Sequence, residues 1–261
     1  GLIGCGGMGT QHSTRFAKMA DRTIVTAAAE IQPQRQNLAA QQLPGAKIVS
    51  DYHDLLNDVD AVLIALPHHL HHRATLDCLE AGKHVLLEKP MATDAPGLRS
   101  VMETVEVARK KGLAVVAGFC WRYHEARREF YKRIHDGAIG DLLSVYATYY
   151  TNPVKPMPPD SARKEEWSDI EWQVRNWYNF AWCGGDGLVE QAVHSVDKIS
   201  WVFGDKPPHS CVAVGGRQRP NNSGNIWDHI EVNYVFDGGA RGFLGQRQIP
   251  GCHGEIGRAH V

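Results

Sequence analysis

Six short apolar runs in the first 119 residues alternate with stretches of helical spacing, and this alternation constrains the fold more than any other feature. The longest runs, residues 61–66 and 113–117, are too short to cross a bilayer and have the length of buried strands. Parallel strands need a crossover connection, which is usually a helix. The pattern therefore predicts a doubly wound parallel sheet, followed after residue 120 by a different kind of domain.

A glycine-rich turn separates the first predicted strand from the first helix, with Gly4, Gly6 and Gly9 spaced as G-x-G-x-x-G. Such glycines permit a tight turn, close approach of the backbone to a pyrophosphate and close packing of helix on strand. The helix N-terminus adds unpaired N–H groups that suit phosphate. We expect this loop to contact a dinucleotide through Gly4, Gly6, Gly7, Met8 and Gly9.

Glu30 ends the second predicted strand, residues 23–29. An acid about 20 residues beyond the glycine loop accepts a hydrogen bond from a ribose hydroxyl. Its charge would repel a 2′-phosphate, so the sequence favours NAD as cofactor. Arg35, a helical turn further on, leaves NADP as an alternative.

The triplet Glu88-Lys89-Pro90 directly follows the fifth predicted strand, residues 85–87. Proline restricts the residue before it to an extended backbone. Lys89 would then point into the crevice where α/β sheets bind ligands, at the carboxyl ends of the strands. The alternative is an ordinary solvated lysine at a strand end.

Four histidines follow Pro67 in the loop after the fourth strand: His68, His69, His71 and His72. They lack the spacing of zinc ligands and have no paired cysteines or carboxylates beside them, so we predict no metal site. We expect His71 to face the cofactor crevice and the other three to be solvated.

The second half has the texture of an antiparallel α+β domain. The predicted elements are a charged helix at 125–136, an antiparallel strand with one exposed face at 142–150, a helix at 188–197, and strands at 211–214, 230–236 and 240–245. In the predicted helix 188–197, Glu190 and His194 share a face and Asp197 lies a turn further on. A packed or solvated histidine is the alternative reading of His194. The tryptophans at 167, 172, 177 and 182 recur every five residues, which suits either a sugar-binding wall or the packing of an irregular segment.

Taken together, these motifs resemble the glucose–fructose oxidoreductase/inositol dehydrogenase (Gfo/Idh/MocA) family over residues 1–254. The motifs that carry the resemblance are the glycine loop, Pro67-x-x-x-His71, Glu88-Lys89-Pro90 and Glu190-x-x-x-His194. The resemblance implies an NAD(P)-binding Rossmann domain at 1–120 and a substrate and oligomerisation domain at 121–254, incomplete at its C-terminal end. It also implies that Pro67, His71, Glu88 and Lys89 line the cofactor site, and that the full-length protein is a homo-oligomer.

The activity implied is hydride transfer between nicotinamide and a secondary hydroxyl of a sugar or polyol. The resemblance makes Lys89 and His194 catalytic, one from each domain, with His194 as base and Lys89 as donor to the same oxygen. Glu190 would orient His194 or bind a neighbouring hydroxyl; the family usually has aspartate there. Predicted substrate contacts are Arg122, Tyr123, Trp177 and Asp197. Alternatives are an NAD-dependent glycoside hydrolase of the same fold, acting by transient oxidation and elimination, and a non-catalytic sugar or nucleotide sensor.

The net charge and the cysteines of the chain limit the kinds of binding partner and the disulfides that it can have. A net charge of −1 gives no basic surface for nucleic acid or membrane, and the six cysteines form no legible disulfide framework. We expect a cytoplasmic bacterial enzyme, with export as an alternative because Gly1 begins inside a strand. Residues 255–261 correspond to the codons of a sequencing adaptor, which predicts a non-native tail on a metagenomic fragment.

Overall fold

A computed structural model describes residues 1–218 and 223–260 of the chain, the last four by their backbone alone. Internal contacts divide the chain into two compact units, residues 1–118 and residues 119–261. Within the described residues, no helix is both long enough and apolar enough to cross a membrane.

The first unit contains a six-stranded sheet in which every neighbouring pair is parallel. Its strands are β1 (Leu2–Ile3), β2 (Ala27–Ala29), β3 (Lys47–Val49), β4 (Ala61–Ile64), β5 (His84–Leu87) and β6 (Val115–Ala117), in the spatial order β3-β2-β1-β4-β5-β6. The predicted doubly wound parallel sheet is confirmed. Several strands are shorter than predicted, among them β2, which has three of the seven predicted residues.

Four α-helices connect these strands: α1 (Gly7–Ala17), α2 (Pro33–Gln42), α3 (His71–Glu80) and α4 (Ala95–Lys110). The 3₁₀ segments Tyr52–Asp58 and His68–Leu70 complete the connections. The α4 helix begins as predicted, because the Asp94 carboxylate accepts a hydrogen bond from the Gly97 backbone N–H at 2.7 Å. Gly112, with φ of +74°, follows its end.

Both faces of the parallel sheet are buried. Alternate strand residues point to opposite faces, so Ile3 and Ile64 belong to one apolar cluster while Leu2 and Leu63 belong to another. Two-sided burial explains why these strands read as continuous apolar runs.

The second unit contains a five-stranded sheet in the order β11-β7-β10-β9-β8. Its strands are β7 (Ser144–Thr151), β8 (Ser210–Gly216), β9 (His229–Val235), β10 (Arg241–Gln248) and β11 (Glu255–His260). The sheet is largely antiparallel, but β7 pairs in parallel with β10. The strand predicted as antiparallel at 142–150 therefore has one parallel neighbour, β10. The alternating pattern of a strand does not show the direction of a partner that follows much later in the chain. Strand β11 contains the residues assigned above to a non-native tail, and that origin stays a prediction.

Helices α5 (Glu125–His135), α6 (Asp169–Arg175), α7 (Ala181–Gly184) and α8 (Val193–Val202) belong to the second unit. The 3₁₀ segments there are Cys120–Tyr123, Asp160–Ala162, Trp177–Asn179 and Asp237–Gly239. Residues of α5 and α8 share one apolar core with the sheet, centred on Ile199 and on Leu244, which is fully buried.

The helix predicted over 188–197 is present, but its hydrogen-bonding pattern changes along its length. Residues Leu188–Ala192 form a π-helical turn, and the α-helix α8 begins only at Val193. A π turn pairs each N–H with the carbonyl five residues before it instead of four, and its residues stay helical, so a helix prediction does not distinguish it. Such turns are rare and occur frequently at functional sites.

Candidate functional site

Four of the predicted functional segments meet at one edge of the parallel sheet. The glycine loop follows β1, Glu30 follows β2, Pro67 follows β4 and Lys89 follows β5. Because all these strands run in the same direction, their carboxyl ends lie at the same edge. This is the edge at which open α/β sheets bind their ligands.

The glycine loop is shaped so that side chains are excluded from it. Gly4 has φ of +94°, and a Cβ there would lie 2.5 Å from the Ala65 carbonyl oxygen. A Cβ on Gly9 would overlap the Gly4 carbonyl oxygen, so only glycine lets α1 start this close to β1. Gly7 and Met8 lie in the first turn of α1, where no side chain of the described residues caps the helix. The loop thus fits the pyrophosphate of a dinucleotide, with backbone N–H groups available at the helix N-terminus.

Glu30 is fixed beside this loop and is only 8% exposed. Its carboxylate accepts from the Cys5 backbone N–H at 3.1 Å and from the Gln32 backbone N–H at 3.0 Å. A carboxylate has further lone pairs, so it can still accept from a ribose hydroxyl. The Arg35 guanidinium also lies beside the loop, 3.0 Å from where a Cβ on Gly6 would be.

The Glu-Lys-Pro triplet is held through the residues on either side of Lys89. The Glu88 carboxylate lies 2.6 Å from Nε2 of His12, on α1. Burial alone would raise the pKa of Glu88, but the bond to His12 and the charges of His12 and Lys89 leave that pKa below its usual value. The Lys89–Pro90 peptide bond is cis. Lys89 itself is half-buried.

The histidine cluster differs from the prediction. His71 is 1% exposed, and its Nδ1 lies 2.6 Å from the Pro90 carbonyl oxygen and its Nε2 2.8 Å from that of Leu66. Burial lowers the pKa of His71. The expectation that His68 is solvated is wrong, because it is 5% exposed and its ring packs 5.1 Å from that of His71. A cofactor contact by His71 stays a prediction.

In the second unit, Glu190 lies in a buried polar cluster within the π-helical turn. The Gln191 side-chain amide donates to the Glu190 carboxylate and to the Tyr178 hydroxyl. Burial and the charge of Glu190 raise the pKa of Tyr178, and the same two causes raise the pKa of Tyr149 to about 12. Both phenols therefore stay protonated at neutral pH and can donate hydrogen bonds.

His194 is half-buried and surrounded by aromatic rings of its own unit. The ring centroid of Trp121 lies 5.1 Å away, and those of Phe119 and Tyr149 lie 6.3 Å away, the last nearly parallel to the imidazole. Sequence reasoning gave none of these rings, nor Tyr178, a role at the site. Only the place of Trp121, just after the last parallel strand, could have suggested it.

Two of the predicted substrate contacts are bonded to each other. Nε of Arg122 donates to the Asp197 carboxylate at 2.9 Å, and its Nη2 to Asp205 at 2.6 Å. Burial raises the pKa of Asp197 against the opposing effect of Arg122. Tyr123 is 62% exposed and Trp177 packs 5.5 Å from the ring of Tyr178. Substrate contact by these four residues stays a prediction.

Within residues 1–218 and 223–260, no group of three or more histidine, cysteine, aspartate or glutamate side chains is arranged to hold a metal ion. The groups that follow the strands at the sheet edge are the glycine loop, the Glu30 carboxylate and the Lys89 side chain.

Comparison with known proteins agrees with this assignment. Residues 1–119 match the GFO/IDH/MocA oxidoreductase family, described as an NAD-binding Rossmann fold, and residues 128–248 match the C-terminal domain of that family. The chain belongs to the Gfo/Idh/MocA family, and its first unit is the NAD-binding Rossmann domain.

Its relatives are carbohydrate oxidoreductases. The chain is 27% identical to an inositol 2-dehydrogenase from Rubrobacter xylanophilus, over 98% of this chain and 67% of the relative. It is 34% identical to a dTDP-3,4-didehydro-2,6-dideoxy-alpha-D-glucose 3-reductase from Actinomadura kijaniata, over 78% of this chain and 55% of the relative. A levoglucosan dehydrogenase solved with NADH and levoglucosan superposes with a TM-score of 0.81 at 25% identity, covering 99% of this chain and 69% of that one. Across eight curated relatives, the share of the relative's length that the chain spans runs from 67% down to 44%.

Proposed function

We propose that this protein is an NAD-dependent oxidoreductase that moves a hydride between nicotinamide and a secondary hydroxyl of a sugar or polyol. The observation that carries the proposal is the shared sheet edge, which brings the glycine loop, Glu30 and Lys89 to the carboxyl ends of parallel strands in one sheet. Membership of the family and the carbohydrate substrates in the names of its relatives support the substrate class.

NAD fits the residues present. The glycine loop and the N-terminus of α1 would bind its pyrophosphate, and Glu30 would accept from the adenosine ribose. When bound, the nicotinamide supplies the hydride acceptor, and the chain supplies binding, orientation and proton handling.

Oxidation of an alcohol requires that the hydroxyl proton leave as the hydride leaves. In the proposal, the His194 imidazole takes that proton as general base. Lys89 donates a hydrogen bond to the same oxygen and stabilises its developing negative charge. Glu190, bonded to Gln191 beside Tyr178, would bind a neighbouring hydroxyl or orient the base. In the reverse direction the same groups return the proton to the carbonyl oxygen.

The test is NADH formation with a panel of inositols, levoglucosan and common aldoses. We expect steady NADH production with at least one of them. Lys89→Ala and His194→Ala should each abolish this turnover while leaving the dissociation constant for NAD within about threefold, since neither change removes the glycine loop or Glu30.

Lys111→Ala and His209→Ala are the matched controls, because both are exposed and lie outside the proposed site. Full turnover in the Lys89 or His194 variant would contradict the mechanism. Release of sugar from a glycoside at constant NAD would point instead to the glycoside hydrolase, and NAD or sugar binding without any turnover would point to the sensor.

A further inference from the structure

We infer that two histidines, His12 and His71, are positioning residues that hold the backbone on either side of Lys89 and so fix where its ammonium group lies. The inference deepens the proposed function and rests on the role given there to Lys89. Neither histidine needs to touch the substrate for this purpose.

His12 acts on the N-terminal side of Lys89. It belongs to α1, the helix that begins in the glycine loop, and its Nε2 lies 2.6 Å from Oε1 of Glu88. Both side chains are largely buried, at 14% and 13% exposed, so solvent competes little for this bond. The ring of Phe16 stacks on the imidazole at 6.2 Å between centroids and fixes its orientation. The residue before Lys89 is thus tied to the helix that would bind the cofactor phosphates.

His71 acts on the C-terminal side. It is the first residue of α3, and its imidazole bridges the Pro90 carbonyl oxygen at 2.6 Å and the Leu66 carbonyl oxygen at 2.8 Å. A carbonyl oxygen can only accept, and the neutral imidazole that the lowered pKa favours has one N–H, so His71 donates to one of these two carbonyl oxygens and packs against the other. The ring therefore joins the loop after β4 to the loop after β5. Since the side chain is 1% exposed, water cannot replace it.

Lys89 consequently lies between two anchored neighbours, each bonded to a different helix. A shift of its Cα would break the bond of Glu88 to α1 or that of Pro90 to α3. Catalytic groups must be held close to their productive geometry, and a displacement of about 1 Å can cost roughly a hundredfold in rate. The two histidine bonds provide that restraint without occupying the ammonium group itself.

A purely structural role can be told apart from a positioning role by the choice of substitution. Leu keeps an apolar side chain that can pack but has no N–H donor. Gln keeps an N–H donor that can replace the histidine hydrogen bond. The informative variants are therefore His71→Leu, His71→Gln, His12→Leu and His12→Gln. His72→Leu is the control, because this neighbour on α3 is half-buried and outside the two bonds.

Two readouts are measured on the 261-residue chain. The first is hydrogen exchange, by mass spectrometry, of the peptide spanning residues 87–92. The second is the kcat for the sugar oxidised by the wild type, alongside the dissociation constant for NAD. We expect each Leu variant to exchange at least tenfold faster over this peptide and to lose about 10- to 100-fold in kcat, with NAD binding within about threefold. The Gln variants should recover most of both, and His72→Leu should match the wild type.

Unchanged exchange and kcat in both Leu variants would overturn the inference, as would Gln variants no better than Leu. Should His71→Leu not fold, the His12 pair decides the question, because the His12 side chain is 14% exposed and less deeply buried than His71. The exchange readout needs no substrate. A wild type without turnover would therefore refute the proposed function, while the exchange data would still decide whether the two histidines hold this segment.

Discussion

Glu30 is the residue on which the choice between NAD and NADP depends. Its carboxylate would repel a 2′-phosphate and at present accepts from the backbone N–H groups of Cys5 and Gln32. Glu30→Ala removes the charge and releases both donors near Arg35, so the site gains groups that suit phosphate. We expect NAD affinity to fall by about tenfold and the NADP-to-NAD affinity ratio to rise by at least that factor.

Titration of both dinucleotides against the wild type and Glu30→Ala gives the two affinities. The double variant Glu30→Ala/Arg35→Ala is the control, since it lacks the cation and should regain little NADP affinity. An unchanged ratio in the single variant would show that another residue sets the cofactor preference.

Lys198 is a buried lysine of α8 that the proposed mechanism does not use. It is 2% exposed, its Nζ lies 3.5 Å from the ring centroid of Trp121, and among the described residues that Nζ has no hydrogen-bond partner. Burial lowers the pKa of Lys198 to about 7, and the charge of Arg127 adds to the effect. Folding therefore has to bury an unpaired ammonium group at low pH.

The sign of the pH dependence follows from this shift. Above about pH 7, Lys198 loses its proton in the folded chain. In the unfolded chain it keeps that proton until the pH nears the ordinary lysine pKa of about 10.4. The free energy of unfolding therefore rises with pH across this interval. Lys198→Met lacks this dependence. We expect it to be more stable than the wild type at pH 7 and below, with a difference that shrinks by about 2 kcal/mol between pH 7 and pH 9.

Urea denaturation across this pH range measures the difference. Lys206→Met, which changes an exposed lysine just beyond α8, should show no such trend. A constant difference between wild type and Lys198→Met would mean that the buried amine keeps one protonation state throughout.

At the scale of the elements, features set by neighbouring residues could be predicted from the sequence. Strand lengths could not, because they depend on pairing with strands elsewhere in the chain. The turn from β1 through the glycine loop into α1, and the Asp94 cap of α4, depend on neighbouring residues and were predicted correctly. The apolar run at 23–29 was too long a prediction for β2. β2 pairs at two positions with β1 and at three positions with β3, and this pairing limits it to three residues.

In the candidate site, too, some residues can be identified from the sequence and others only from the folded structure. The sequence identifies Lys89 and Glu30 because each follows an apolar strand directly, and parallel strands place such residues at one edge. The aromatic side chains around His194 come from two separate segments, one with Phe119 and Trp121 and the other with Tyr149. No spacing in the sequence brings those segments together, so they become visible only after the chain has folded.

At the scale of the whole molecule, the described residues form apolar clusters within each unit, two in the first unit and one in the second. A unit with its own core can unfold as a cooperative transition of its own. The tryptophans provide a natural label for this, because all seven lie in the second unit. They are Trp121, Trp167, Trp172, Trp177, Trp182, Trp201 and Trp227.

NAD should therefore separate the two transitions. At a hundred times its dissociation constant, a ligand that binds only the folded first unit stabilises it by about 2.7 kcal/mol, which for a unit of this size is on the order of 10 °C. Far-UV circular dichroism, which reports both units, should then show a transition that moves upward with NAD, while the tryptophan fluorescence transition stays in place. Equal shifts in both signals would show one cooperative molecule, and no shift in either would refute NAD binding.

Gly9→Ala is the control variant, because its new methyl group would overlap the Gly4 carbonyl oxygen in the glycine loop. Repeating the scans with this variant should show no NAD-dependent shift. The tryptophan transition should stay unaltered, since the substitution changes nothing in the second unit.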